Sequence, residues 1–206
     1  MRIETITVGP FAMNCYILID EDTRQAIIID PGAEAGRLIK NIEKKHLNLI
    51  YIINTHCHID HAGEAGKIQQ YFDIPFYIHE QELPLLRSLP DQGRLFGITV
   101  EKIPEVTAFL KDGDTLQFGG ITGTVLYTPG HTPGGISFLF GDDVFVGDCL
   151  FMDSIGRTDL YGGDHEQLIG SITNKLLSLK DDTRVYSGHG PNSTIGRERR
   201  SNPFLR

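Results

Sequence analysis

Five of the chain's eight histidines stand in a pattern suited to holding metal. Residues 55–61 read Thr-His-Cys-His-Ile-Asp-His, so His56 and His58 are two apart and Asp60 and His61 follow at once. Three more candidate ligands lie beside glycines: His131 in Pro129-Gly130-His131, Asp148 in Gly147-Asp148-Cys149, and His189 in Gly188-His189-Gly190. On a loop, His56 and His58 can point the same way and grip one cation, with His131 as a third imidazole. Asp60 and His61 can turn toward a second cation, completed by His189. Asp148 is the natural bridge, because a carboxylate has two oxygens and a charge that offsets two cations. Imidazole and carboxylate without thiolate suit zinc, with iron or manganese also admitted.

Two divalent metals about 3.5–4 Å apart share a bridging water and lower its pKa from about 16 toward about 7. Such a pair makes hydroxide available at neutral pH and offers a Lewis acid to a substrate oxygen. The chemistry expected is therefore hydrolysis, with Asp60 both a ligand and the group that orients the hydroxide. His46, His79 and His165 lack this context and read as surface histidines. Cys57 and Cys149 adjoin ligands but read as packed residues whose thiols point away from the metals.

The elements that must position these residues alternate strand and helix. Ile3–Val8, Cys15–Ile19 and Ala26–Ile29 are short β-branched runs at the spacing of a meander, stopped by Asp30-Pro31-Gly32. Residues 33–46 predict a helix with Leu38, Ile39 and Ile42 on one face. Ile50–Asn54 is a continuous apolar run, expected of a strand buried on both faces. The histidine motif follows its carboxyl end, where open α/β sheets place ligands. Ala62, Ala65, Ile68 and Phe72 recur at helical spacing, and Phe76–Ile78 predicts a strand. Residues 80–114 predict only a short helix and a loop. Strands are expected again at Thr115–Phe118, Thr122–Thr128, Ile136–Phe140, Val144–Val146 and Arg184–Tyr186, with tight turns at Gly119-Gly120 and Gly141-Asp142. Asp164 and Gln167 form a capping-box pattern opening a helix over 165–179. The expectation is one α/β domain over 1–206, in halves of about 1–114 and 115–206. Each half gives one sheet with helices outside it.

Composition narrows the function. A chain of 206 residues, 40% hydrophobic and 22% charged, is an ordinary globular balance. Its net charge of −8 argues against nucleic acid as a partner, and Arg197, Arg199 and Arg200 read as a solvated turn. No apolar run approaches the roughly 20 residues of a spanning helix, and the opening Met-Arg-Ile-Glu-Thr-Ile lacks a signal-peptide core, so no membrane role is expected. Three cysteines without Cys-x-x-Cys spacing fit a reducing cytoplasm. The sequence leaves the oligomeric state open.

The motif His56-Cys57-His58-Ile59-Asp60-His61, with His131, Asp148 and His189, resembles the metallo-β-lactamase superfamily. The likeness runs from Asn14-Cys15-Tyr16 and Asp30-Pro31-Gly32 to the end of the chain. It implies a four-layer αβ/βα sandwich with metals at one edge. Within the superfamily the chain is similar to short, single-domain type II glyoxalase-like proteins, the hydroxyacylglutathione hydrolases. That closer match rests on Ser154–Asp159, Gly163–Ile169 and the tail from Gly188 through Leu205. It implies cleavage of the thioester of a 2-hydroxyacyl thiol such as S-lactoylglutathione. The helical domain that supplies glutathione-binding residues in two-domain relatives has no counterpart in these 206 residues. Arg157 stands where those relatives place a lysine against a glutathione carboxylate, with Tyr161 a second candidate for that pocket. Two other readings stay open. Mononuclear iron persulfide dioxygenases share the motif and would use His56, His131 and Asp148 alone. A lactone or ester hydrolase would use the same metal pair.

Overall fold

The computed structural model describes residues 1–206, which cluster into two compact units. The first comprises Met1–Leu110 with Gln117–Ile121, and the second Lys111–Leu116 with Thr122–Arg206.

The first unit opens as an antiparallel meander of β1 (Arg2–Val8), β2 (Met13–Ile19) and β3 (Gln25–Ile29). β2 is buried at every position, as its run Met-Asn-Cys-Tyr-Ile-Leu-Ile dictates. The chain leaves β3 through α1 (Ala35–Lys44), which buries Ala35, Leu38 and Ile42 at helical spacing. Burying such a leucine or isoleucine is worth about 1.5–3 kcal/mol, enough to hold a ten-residue helix that is marginal alone. The helix stops before His46, which takes a left-handed φ of 51°. β4 (Asn48–Ile53) then pairs parallel with β3. α2 (Ile59–Ala62) and α3 (Ala65–Phe72) lead to β5 (Phe76–Ile78), parallel to β4 on its other side. The predicted helical stretch from 62 to 72 is thus broken in two.

Residues 80–114 hold more structure than expected. A 3₁₀ turn at Glu80–Glu82 precedes α4 (Leu83–Arg87) and α5 (Leu89–Phe96), each with a proline in its first turn. A two-residue strand, β6 (Ala108–Phe109), closes the sheet in the order β1-β2-β3-β4-β5-β6. The core of this unit gathers Ile17, Ile19, Ile28, Leu38, Ile52, Ile68 and Phe76.

The second sheet runs β14-β13-β10-β9-β8-β7. Its strands are β7 (Thr115–Phe118), β8 (Ile121–Tyr127), β9 (Ile136–Phe140) and β10 (Asp143–Gly147). A small hairpin follows, β11 (Leu150–Phe151) with β12 (Ser154–Ile155). α6 (His165–Ser171) starts where the capping pattern placed it, and Asp164 accepts the Gln167 backbone N–H at 2.9 Å. The box is half made, because the Asp164 N–H donates instead to Gly130 O at 2.8 Å. The helix is also shorter than the predicted 165–179: it passes into a π-helical turn over Ile172–Leu176 and ends there. β13 (Arg184–Ser187) pairs parallel with β10, and β14 (Ser193–Thr194) antiparallel with β13. α7 (Ile195–Ser201) carries Glu198, fully buried. Glu198 accepts from Asp153 N and Asn202 Nδ2 at 2.9 and 3.0 Å, and pairs with Arg197 at 2.8 Å. The arginines expected to be merely solvated are all in ion pairs, Arg197 with Asp153 and Arg199 and Arg200 with Asp181. Val144, Leu168, Ile172, Leu176 and Val185 form this unit's core.

All three cysteines are buried free thiols. No helix is long and apolar enough to cross a membrane.

Candidate metal centre

The histidine motif begins one residue after β4, between two parallel neighbours whose carboxyl ends lie alongside. Side chains hold six backbone groups of this loop. The Asn54 amide donates to His61 O at 2.8 Å and His56 O at 3.3 Å. Asp30, at the end of β3, accepts from Thr55 N at 2.7 Å and from Thr55 Oγ1 at 2.6 Å. Glu82 Oε2 accepts from Cys57 N at 2.7 Å. Gln92 Oε1 accepts from Ile59 N at 2.9 Å, and its Nε2 donates to Cys57 O at 3.3 Å.

These contacts decide which nitrogen His56 and His61 present. Asp30 Oδ2 lies 2.9 Å from His61 Nδ1. A carboxylate only accepts, so Nδ1 carries the proton and the lone pair is on Nε2. Thr55 Oγ1 gives its hydrogen to Asp30, so it accepts from His56 Nδ1, 3.0 Å away. His56 therefore also holds its lone pair on Nε2. The ring centroids of His56 and His58 are 4.8 Å apart and those of His56 and His61 4.0 Å. Asp60 Oδ2 stands 3.8 Å from His61 Nε2. Asp30 offers a ligand-capable atom within 4.8 Å of those of His56 and His61. Both its oxygens are already committed to Thr55 and the His61 Nδ1–H, so it orients ligands and is not one itself. Gly32 makes the arrangement possible, because a Cβ there would lie 1.5 Å from the Asp60 carbonyl oxygen.

In the second unit, Asp148 and His189 follow the carboxyl ends of the parallel pair β10 and β13. The Gly188 N–H, donating to Gly147 O at 2.8 Å, ties these ends together. His131 sits in the loop after β8. Gly130, at φ 126°, leads into it and leaves no room for a Cβ, which would fall 2.2 Å from Leu168 N. His131 Nδ1 donates to the Arg157 carbonyl at 2.8 Å, which puts its lone pair on Nε2. Asp148 Oδ2 then lies 3.8 Å from His131 Nε2 and 3.6 Å from His189 Nε2.

These separations are too long for hydrogen bonds and suit shared ligation. Two donors each about 2.0–2.1 Å from one zinc at a tetrahedral angle stand about 3.4 Å apart. The donor set thus fits divalent metal on three counts: imidazole and carboxylate chemistry, Nδ1 positions anchored by acceptors, and metal-scale spacing. The first unit brings together His56, His58, Asp60 and His61. The second brings together His131, Asp148 and His189.

The remaining candidates look different. Arg157 is exposed and forms a bidentate ion pair with Asp159, through Nε and Nη2 at 2.8 Å each. The guanidinium holds the Asp159 carboxyl down at about 2. Tyr161 is 68% exposed. Burial pushes the Cys57 thiol well above its ordinary pKa, and pushes Cys149 up to about 12. Both thiols pack in apolar cores, as expected of them despite the candidate ligands beside each.

Sequence reasoning read Asp30 only as part of a turn, and it passed over Thr55, Glu82 and Gln92. A signal existed for Asp30: a carboxylate closing an otherwise apolar strand, where nothing but a specific partner would justify its burial. Glu82 and Gln92 gave none, since their partners are 25 and 33 residues away.

A sheet carrying a His-x-His-x-Asp-His loop at a strand end, and a second with Asp148 and His189 on paired strand ends, define a metallo-hydrolase scaffold. A family model for the metallo-beta-lactamase superfamily matches residues 8–189, and the chain belongs to that superfamily. It is 45% identical to the hydroxyacylglutathione hydrolase GloC of Haemophilus influenzae, over 100% of this chain and 98% of that one. Among solved structures it is similar to the BLEG-1 B3 metallo-beta-lactamase, with a TM-score of 0.90, 41% identity and 99% of each chain covered. It is also similar to TTHA1623 in a di-iron-bound form, with a TM-score of 0.89 and 37% identity, over 98% of this chain and 100% of that one. The α/β fold is therefore the metallo-β-lactamase fold, and the His/Asp clusters are those of a divalent-metal hydrolase.

Proposed function

We propose that the chain is a dinuclear thioester hydrolase acting on a 2-hydroxyacyl thiol of the S-lactoylglutathione type. The two units act as halves of one domain, a reading the family match over 8–189 supports. The observation that carries the proposal is Asp148, whose Oδ2 faces the Nε2 atoms of both His131 and His189 at 3.8 and 3.6 Å. In this reading His56, His58 and His131 would hold one metal, Asp60, His61 and His189 would hold the other, and Asp148 would serve both. Zinc suits the donor set, and the di-iron form of a similar protein makes iron the principal alternative.

Bound there, the metal pair supplies hydroxide at neutral pH and a Lewis acid for the substrate carbonyl. Asp60 would accept a hydrogen bond from that hydroxide and aim its oxygen at the carbonyl carbon. A C–O bond would form, the C–S bond would break with its electron pair leaving on sulfur, and the hydroxide's proton would pass from the new carboxyl group to the thiolate or to solvent. A thiol of pKa about 8–9 departs as thiolate without a general acid, whereas an amine leaving group needs a proton. The name of the GloC relative supports the same substrate class. Arg157 is the candidate clamp for a substrate carboxylate, once Asp159 releases it, and Tyr161 is a second candidate for the same pocket. Three buried free thiols support a reducing compartment, the cytoplasm.

The test is metal analysis of protein purified without added metal, then turnover of S-lactoylglutathione, glutathione persulfide and a chromogenic cephalosporin. Two metals per chain with thioester hydrolysis is the expected result. One iron per chain with persulfide oxidation, or faster lactam than thioester cleavage, overturns the proposal.

A further inference from the structure

Two side chains in the least regular part of the first unit grip the ligand loop by its backbone. Glu82, fully buried, ends the 3₁₀ turn before α4 and accepts the Cys57 N–H at 2.7 Å. The Cys57 N–H belongs to the peptide that joins it to His56, so this one bond fixes the plane leading out of the His56 Cα. Gln92, on α5, accepts the N–H of Ile59 at 2.9 Å and donates to Cys57 O at 3.3 Å. Ile59 is the first residue of α2, which carries Asp60 and His61. Gln92 is itself fixed, its Nε2 also donating to Leu85 O at 3.0 Å and Ser88 Oγ at 3.1 Å. Between them these two residues hold both sides of His58 and the start of the next ligand pair.

We infer that Glu82 and Gln92 are positioning residues for the metal ligands, acting through the backbone of Cys57 and Ile59. The inference rests on the two-metal reading only for its stoichiometry. Burying a carboxylate with no structural return is costly, and a hydrophobic residue would fill the Glu82 position at less expense. Its return here is an acceptor of fixed direction for an N–H that neither β4 nor α2 can satisfy. Groups that orient ligands without touching the metal typically contribute about 10- to 100-fold in metal affinity.

The test compares Glu82→Met, Glu82→Gln and Gln92→Met with the unaltered chain. Zinc affinity is measured by competition with a chromophoric chelator, and amide hydrogen exchange at Cys57 and Ile59 is followed in metal-free protein. Glu82→Met and Gln92→Met should each weaken zinc binding by about tenfold or more. Exchange should rise at Cys57 in the first and at Ile59 in the second. Glu82→Gln keeps an acceptor oxygen of nearly the same shape and should recover most of the affinity. The inference is overturned if zinc affinity stays within threefold of the unaltered chain while only the melting temperature falls. It is equally overturned if Glu82→Gln is as damaging as Glu82→Met. An unaltered chain that binds a single zinc would remove the two-metal reading, and the same affinities would still judge the positioning roles.

Discussion

Asp30 holds three groups at once, the N–H and hydroxyl of Thr55 and the Nδ1–H of His61. An asparagine of the same shape turns one of its two acceptors into a donor that faces another donor. Asp30→Asn should therefore lose about 10- to 100-fold in metal affinity, read by chelator competition, with the fold retained by circular dichroism. Asp148→Ala goes further: the only carboxylate facing both His131 and His189 is gone, and neither metal should survive dialysis. Full occupancy in that variant would end the bridging role. Arg157 tests substrate recognition separately. If it clamps a carboxylate, Arg157→Ala should lose roughly 10- to 150-fold in kcat/KM, mostly as a raised KM, with metal content unchanged. Asp159→Asn should lower KM, since Asp159 competes for the same guanidinium. Kinetics unchanged in both variants would leave Arg157 a surface ion pair and nothing more.

At the scale of elements, the site depends on close backbone approaches as much as on ligands. Gly32→Ala would drive a Cβ to 1.5 Å from the Asp60 carbonyl, a backbone atom that cannot step aside. Overpacking of this kind costs about 1–3 kcal/mol or more, and the strain falls on the helix carrying Asp60 and His61. The variant should melt lower and bind metal more weakly, both seen in one calorimetric titration. The strands that carry ligands were the easiest part to read. Ile50–Ile53 is apolar at every step because β4 has parallel neighbours on both sides, and that fullness is visible in one dimension. Residues 80–96 were not readable, because α4 and α5 are one or two turns long and too short to establish a period. The same limit hid Glu82 and Gln92, whose partners are brought near only by the tertiary fold. The π turn over Ile172–Leu176 was missed for a different reason: Leu168, Ile172 and Leu176 keep the spacing of an ordinary helix while the hydrogen bonding changes beneath it.

For the whole molecule, several carboxylates bind their protons more weakly folded than unfolded. Lys175 and the Tyr127 N–H lower Asp112 below its ordinary 3.8, the Gly120 N–H and Thr23 lower Asp20, and Arg197 lowers Asp153. A depressed folded pKa contributes stability that is complete above the unfolded value and is lost as pH falls through the folded one. These shifts alone therefore predict that metal-free protein loses its urea midpoint progressively below about pH 4. A midpoint that instead rises on acidification would contradict the sign of these shifts. Metal-loaded protein should start from a higher midpoint and lose that increment at a higher pH, because its histidine ligands must take up protons as the metal leaves.

The buried thiols give the molecule a clock. Cys15 and Cys57 lie in the first unit and Cys149 in the second, all at most 3% exposed and all raised in pKa by burial. An alkylating reagent can reach none of them until the chain around it opens, so each added mass marks one opening event. If the units open as one body, intact-mass spectra should step from no label to three, with intermediates scarce. If they open separately, a doubly labelled species and a singly labelled one should accumulate, and peptide mapping should assign them to opposite units. Adding zinc should then slow Cys57 the most, since its neighbours on both sides are the proposed metal ligands His56 and His58. The native chain thus carries three reporters of its own breathing without any engineered probe.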